Sequence, residues 1–247
     1  MANKRIALVT GASGGIGQAV VARLIKDGFE VAAMDINKST MDELIGKIPS
    51  GMQPYVCDQT DENATRDTVA RIETEMGPIH ALVNTIGWVG TTRFMEENSD
   101  YWRKVIAINL ESVLYVTHAV LENMIDRQSG TICNVASDAG RVGTSGEAVY
   151  SACKAGIIGL CKSLARENAR YNINVNAVSP GPTETPLLQA EIEENPELIR
   201  RMTRLIPFRK VAQPEDQAGA ISYLISDDAA YITGQVISVS GGLTMVD

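Results

Sequence analysis

The chain has 247 residues, enough for one larger domain or two small ones around a sizeable buried core. Its net charge of −8 argues against a general nucleic-acid binder. No apolar run approaches the roughly 20 residues of a membrane span, and the start leads straight into a strand-like run, so neither a membrane segment nor a signal peptide is expected and a cytoplasmic protein is.

Ile6, Ala7, Leu8 and Val9 form a short apolar run of the kind found in buried parallel strands. It ends in a glycine-rich turn, residues 10–17, and a helix starts near Ala19 and stops near Gly28. Strand, glycine turn and helix in that order form a phosphate-binding context. Glycine lets the backbone approach a pyrophosphate, and the helix N-terminus offers unpaired N–H groups. Gly11, Ser13, Gly15, Ile16 and Gly17 are the candidate contacts; a purely structural turn is the alternative. Residues 29–34 read as the second strand, with Asp35 at its end. That lies close to the spacing of roughly 20 residues at which an acid binds an adenosine ribose. A carboxylate there accepts from ribose hydroxyls and repels a 2′-phosphate. No Arg or Lys sits in the glycine turn, so both features favour NAD(H) over NADP(H). Asp35 can instead cap the next helix, near Lys38, although Asn37 and Ser39 compete for that role.

Strands follow at 53–57, 79–83, 131–135, 173–178 and 236–239, and helices at 63–76, 101–126, 149–170 and 214–226. The alternation predicts one domain over 1–247, a doubly wound Rossmann-type α/β sheet with helices on both faces and right-handed crossovers. Ligands of such sheets sit at the C-terminal strand edge, where Asp35, Asp58, Asn84, Ser137 and the pair Pro180–Gly181 all fall. Residues 182–213 break the rhythm and predict a helical lid over the substrate. Its Arg200, Arg201, Arg204, Arg209 and Lys210 are the one basic cluster of the acidic chain. They can meet a phosphate on a substrate handle, or pair with Glu191, Glu193, Glu194 and Glu197 on a solvated face.

Tyr150 and Lys154 are four apart in a helical run and so share a helix face. A cation beside a phenol favours phenolate, which lowers its pKa from about 10 toward the range of an acid–base catalyst. The cysteines Cys57, Cys133, Cys153 and Cys161 form no CxxC pair, and with only His80 and His118 beside them no zinc site is expected. Reduced, buried or half-buried thiols are the expectation.

With Gly11, Asp35, Asn84, Ser137, Tyr150 and Lys154 in view, the chain resembles the short-chain dehydrogenase/reductase family over essentially its full length. The TGxxxGxG turn at 10–17 has that family's spacing. Ser137, Tyr150 and Lys154, with Asn109 as fourth member, match its catalytic set. The family's NNAG motif reads Asn84, Thr85, Ile86, Gly87 here, which leaves the contact made by Thr85 open. Segments 137–143, 145–150 and 238–245 are similar to 2-hydroxycyclohexanecarboxyl-CoA dehydrogenases.

The resemblance implies hydride transfer between NAD and a carbinol or carbonyl carbon. It makes Tyr150 the acid–base, Lys154 its pKa partner and ribose contact, and Ser137 the holder of the substrate oxygen. Asn109 would hold a relay water, Asp58 meet the adenine, and Gly181, Thr183 and Thr185 the carboxamide; Asn84 and Gly87 complete the cofactor set. Trp88, Val142, Val149 and Leu187 are candidates for apolar pocket lining. Family members are often homotetramers, and the stripe Ile157, Ile158, Leu160 and Leu164 is compatible with an interface or with internal packing. Two other readings stand beside an NAD-dependent hydroxyacyl-CoA dehydrogenase: a 3-oxoacyl carrier-protein reductase, and a non-catalytic NAD-binding protein.

Overall fold

The computed structural model describes residues 5–48, 50–194 and 197–246; residues 1–4 and the side chains of Glu191 and Glu194, on which earlier expectations fall, lie outside them. Seven parallel strands form one sheet: β1 (Arg5–Thr10), β2 (Phe29–Asp35), β3 (Met52–Val56), β4 (Ile79–Asn84), β5 (Gly130–Val135), β6 (Ile173–Pro180) and β7 (Val236–Val239). Their order is β3-β2-β1-β4-β5-β6-β7, so the winding reverses between β1 and β4. That reversal opens a crevice outside the C-terminal ends of these two strands.

Alternating side chains feed two cores. Leu8, Met34, Leu82 and Ile132 pack beneath α3 (Glu62–Glu75), α5 (Ser112–Arg127) and α7 (Ala148–Asn168). Ala7, Val9, Val31 and Val83 pack against α1 (Gly15–Lys26), α2 (Lys38–Lys47) and α10 (Pro214–Leu224). A buried Leu or Val contributes about 1.5–3 kcal/mol, so slipping β1 by one residue would exchange both faces and undo both cores. Ile157 lies within the first core, and Ile158, Leu160 and Leu164 pack partly buried against it, so internal packing accounts for much of that stripe.

The helix expected at 101–126 begins earlier and is not uniform. α4 (Ser99–Ile106) passes through a π-helical turn (Ala107–Glu111) into α5. The 29-residue run Ser99–Arg127 is long and apolar enough, by length and composition, to cross a membrane, which corrects the expectation that no stretch approaches that size. Its Val105, Val113, Val116, Val120 and Met124 are buried within this fold, so the apolar content serves a core helix. The lid comprises α8 (Pro186–Glu194) and α9 (Glu197–Leu205), the two helical runs expected within 182–213.

Candidate active site

β1 delivers the glycine turn to the crevice. Gly11 has φ +60°, and a Cβ there would lie 2.9 Å from Ile86 Cα. A Cβ on Gly17 would stand 2.1 Å from Gly11 O. The turn is closed by Gly14 N donating to Gly11 O at 3.0 Å. Thr85, whose contact was open, donates its hydroxyl to Thr10 O at 2.6 Å and to Gly11 O at 3.2 Å. It therefore pins the turn from β4. Gly14 is the N-cap of α1 and provides no side-chain cap. The first N–H groups of α1 are thus left for an anion, at the positive end of the helix dipole. This cradle fits the pyrophosphate of a dinucleotide, with Gly15, Ile16 and Gly17 as the first residues of the helix.

Asp35 is buried at the end of β2. Its Oδ2 accepts from Ser13 N at 3.0 Å and its Oδ1 from Asn37 N at 3.2 Å. Asn37, not Asp35, caps α2, through Ser39 N and Thr40 N. Ser13 Oγ is 2.7 Å from Thr40 Oγ1. Each carboxylate oxygen keeps acceptor capacity beyond its one backbone bond. Asp58 is exposed after β3, where its Oδ1 accepts from the amide and hydroxyl of Thr60.

Asn84 is held by its side chain within the core. Its Oδ1 accepts from Thr10 Oγ1 at 3.2 Å, and its Nδ2 donates to Asn134 Oδ1 at 2.8 Å and Thr117 Oγ1 at 3.2 Å. The side chain, 1% exposed, is absorbed by a polar chain through the core that continues from Asn134 Nδ2 to Cys161 Sγ. Asn134 and Thr117 are not marked by the sequence, and Cys161, expected there as a buried thiol, joins them. The available signal was two asparagines, Asn84 and Asn134, which pair in register on neighbouring strands.

Ser137 follows β5, and its Oγ accepts at 3.1 Å from Ala139 N, the first residue of the short α6 (Ala139–Val142). That bond leaves the hydroxyl proton free to donate to another oxygen. Lys154 is 2% exposed, and its Nζ donates to Val135 O at 3.0 Å and Ile86 O at 3.5 Å, leaving a third ammonium proton. Nζ lies 5.7 Å from the centre of the half-buried Tyr150 ring. Burial lowers the lysine pKa from 10.5 to about 8, partly opposed by Cys153. The Ser137 loop approaches α7 closely: a Cβ on Gly140 would lie 2.6 Å from the Lys154 carbonyl carbon.

Asn109 sits in the π turn, fully buried. Its amide donates to Trp88 O and Val105 O, and its Oδ1 accepts from Trp88 N at 3.0 Å. A Cβ on Gly87 would be 3.3 Å from both Asn109 Oδ1 and Lys154 Nζ, so this glycine keeps the gap between them open.

The right-hand strands complete the edge. Gly181 N is taken by Val239 O, so its amide is not available to a carboxamide; its carbonyl accepts from the Thr183 hydroxyl at 2.9 Å. Thr183 is further held by Gln217 Nε2. Thr185 Oγ1 accepts from Leu188 N at the start of α8, and its hydroxyl proton remains. Trp88 and Val149 are partly buried, whereas Val142 and Leu187 are exposed. Asp138, Arg141 and Ser238 were not anticipated. Ser238 Oγ donates to buried Asp138 Oδ1 at 2.8 Å and accepts from Arg141 Nη1 at 3.0 Å. Arg141 Nη2 reaches Val246 O at 2.6 Å. His80 stands at the opposite strand edge, its Nδ1 accepting from Ile6 N, and burial lowers its pKa. His118 is exposed.

The model of the enoyl-(acyl carrier protein) reductase family matches residues 11–244. The chain belongs to the short-chain dehydrogenase/reductase family. It is 38% identical over 245 residues to the 3-oxoacyl-acyl-carrier-protein reductase of Thermotoga maritima, covering 98% of each chain. It is 39% identical over 240 residues to the acetoacetyl-CoA reductase of Rhizobium meliloti, covering 96% of this chain and 98% of the relative. An oxidoreductase of this family from Burkholderia thailandensis superposes with a TM-score of 0.91 at 33% identity, over 98% of this chain and 93% of the other. ElxO with NADP bound gives 0.92 at 28%, over 98% and 99%. Membership makes the chain a nicotinamide-dependent oxidoreductase acting on hydroxyl and keto groups.

Proposed function

We propose that the protein is an NAD-dependent dehydrogenase of secondary alcohols whose substrate is an acyl-CoA thioester with a hydroxyl on a ring, of the 2-hydroxycyclohexanecarboxyl type. The observation that carries the cofactor choice is Asp35. Its carboxylate is held at the end of β2 by the amides of Ser13 and Asn37 and faces no described cation. Spare acceptor positions suit ribose hydroxyls, and the negative charge opposes a 2′-phosphate. The substrate reading rests on segments 137–143, 145–150 and 238–245.

Bound NAD supplies the ring that accepts or gives the hydride. The protein's own residues handle the proton and the substrate oxygen. Tyr150 removes the hydroxyl proton in oxidation and returns it in reduction. Lys154 holds positive charge near the phenol and keeps one proton for a ribose hydroxyl. Ser137, its Oγ fixed by Ala139 N, donates to the substrate oxygen and stabilises charge there. The free lone pair of Asn109 Oδ1, across the gap at Gly87, suits a water that passes protons to Lys154. Asp58 would meet the adenine; the Thr183 backbone and Thr185 hydroxyl would meet the carboxamide. A homotetramer in the cytoplasm is the expected setting.

The full-length similarity to 3-oxoacyl carrier-protein and acetoacetyl-CoA reductases favours a second reading, reduction of a linear 3-oxoacyl thioester. The deciding experiment measures NAD and NADP turnover with cyclic 2-hydroxyacyl-CoA, linear 3-hydroxyacyl-CoA, the free acids and simple alcohols. Preference for NAD and the cyclic thioester supports the first reading, and preference for NADPH and a linear 3-oxoacyl thioester the second. NAD binding with no turnover across the panel would overturn both. Asp35→Ala is expected to lower the NAD-to-NADP ratio of kcat/KM by at least about tenfold, corresponding to about 1.4 kcal/mol; an unchanged ratio removes the argument from ribose recognition.

A further inference from the structure

We propose that the α9 segment of the lid binds the phosphorylated nucleotide end of a coenzyme A thioester through Arg200, Arg204 and Arg209. The inference rests on the thioester reading above and deepens it. Residues 197–210 carry five basic side chains and one acidic one, in a chain of net charge −8. Arg200 and Arg204 are four apart on α9, so they share one face. Arg209 lies beyond the helix end with φ +58°, a conformation that residues with a Cβ seldom take. In that conformation its Nη1 donates back to Arg204 O. The three arginines, with Ile199 and Thr203, border an open surface depression of about 270 Å³.

Among the described residues, the only carboxylate paired with this trio is Glu197, which meets Arg200 at 3.6 Å with both side chains exposed. Such a pair is weak and easily exchanged. The Thr203 hydroxyl is spent on Ile199 O, and the lining of the depression is mainly apolar, with all three arginines exposed to solvent. Three exposed like charges on one short segment repel each other, and an anion would relieve that repulsion. Guanidinium forks match phosphate oxygens in pairs. The depression lies below the roughly 300–1,000 Å³ of whole small-molecule sites. It therefore suits surface contact with the phosphates of the nucleotide, the rest of the coenzyme extending away as a flexible arm.

The lid places this depression within the same assembly as the candidate active site. Thr185 and Pro186, at the start of α8, pack against the Gly15 position of the glycine turn, where a Cβ would lie 2.7 Å from Thr185 Cγ2. After α9, Phe208 N donates to Gly241 O, and Pro207 packs on Gly242, just beyond β7. Both ends of the lid are thus anchored to the edge that carries Ser137 and Gly181. An acidic carrier protein would have to approach a chain of net charge −8 across a broad surface, whereas a nucleotide concentrates its charge at the arginine cluster.

The test uses the intact protein saturated with NADH. Dissociation constants are measured for CoA, 3′-dephospho-CoA, pantetheine and a phosphopantetheinylated acyl carrier protein, with wild type and the double variant Arg204→Gln/Arg209→Gln. Wild type is expected to bind CoA at least tenfold more tightly than pantetheine, with 3′-dephospho-CoA between them and the difference shrinking at high salt. The double variant should lose at least tenfold for CoA and keep its pantetheine affinity, and Arg204→Lys/Arg209→Lys should recover part of the loss. An unchanged thermal midpoint shows that the variants fold. If wild type binds CoA no better than pantetheine, the thioester-handle reading falls together with this site. If wild type prefers CoA and the double variant keeps that preference, the site lies elsewhere and the substrate reading stands. Tighter binding of the carrier protein than of CoA, lost in the double variant, would overturn the assignment to a nucleotide.

Discussion

Replacing Lys154 with methionine should make the protein more stable at neutral pH while removing its activity. The side chain is 2% exposed, and burial lowers its pKa from 10.5 to about 8. Holding the ammonium charged below that pKa costs about 3 kcal/mol relative to the unfolded chain. Its hydrogen bonds to Val135 O and Ile86 O offset about 1–2 kcal/mol of this, and methionine forfeits them. A net gain of about 1–2 kcal/mol at pH 7 follows for Lys154→Met. The pH dependence is the sharper test. In the window from about 8 to 10.5 the unfolded chain binds the proton and the folded chain does not, so wild-type stability rises with pH there. Methionine has nothing to titrate, so the advantage of the variant should narrow by about 2–3 kcal/mol between pH 7 and pH 10. Urea denaturation of both proteins at several pH values measures this. A stability difference that stays constant over the range would refute the account of a buried lysine held charged at a cost.

Three further outcomes are expected. Tyr150→Phe should reduce turnover by at least about a hundredfold through loss of the acid–base group, and calorimetry should show NAD binding retained; near-full activity would remove Tyr150 from the mechanism. Gly17→Ala should destabilise by about 3 kcal/mol and weaken NAD binding, because its Cβ would meet the Gly11 carbonyl at 2.1 Å and backbone cannot yield; a wild-type thermal midpoint would contradict the geometry. Asn84→Ala should cost about 2–4 kcal/mol by leaving Asn134 Oδ1 without that donor and opening a buried gap. Weaker NAD binding at unchanged stability would instead return the Asn84 side chain to the cofactor.

The parts legible in the sequence are those written into local pattern. Strands read as short apolar runs, and each ends in a polar or glycine residue that marks the ligand edge, as with Asp35 and Ser137. Tyr150 and Lys154 read as a pair because helix periodicity alone places them on one face. The π turn around Asn109 did not show, since one widened turn leaves the apolar pattern on both sides intact. The core setting of the Asn84 side chain does not show in the sequence for a related reason. Whether an asparagine at a strand end faces ligand or core depends on Thr10, Thr117 and Asn134, which meet only after four separate elements pack. The Asp138–Ser238–Arg141 set spans about a hundred residues of chain, beyond the reach of any local motif. The lid arginines were visible as composition, but the turn of Arg209 back onto α9 was not.

Arg141 has a practical consequence for anyone handling this protein. Through it and Ser238, three hydrogen bonds link the carbonyl of Val246 to the carboxylate of Asp138, which follows Ser137. A purification tag or dye attached beside Val246 would therefore tug on the loop that presents Ser137. The N-terminal side offers a quieter handle, because β1 starts with Arg5 at the far edge of the sheet, beside His80. A fluorophore near Val246, by the same coupling, is where occupation of the site should first become visible as a signal.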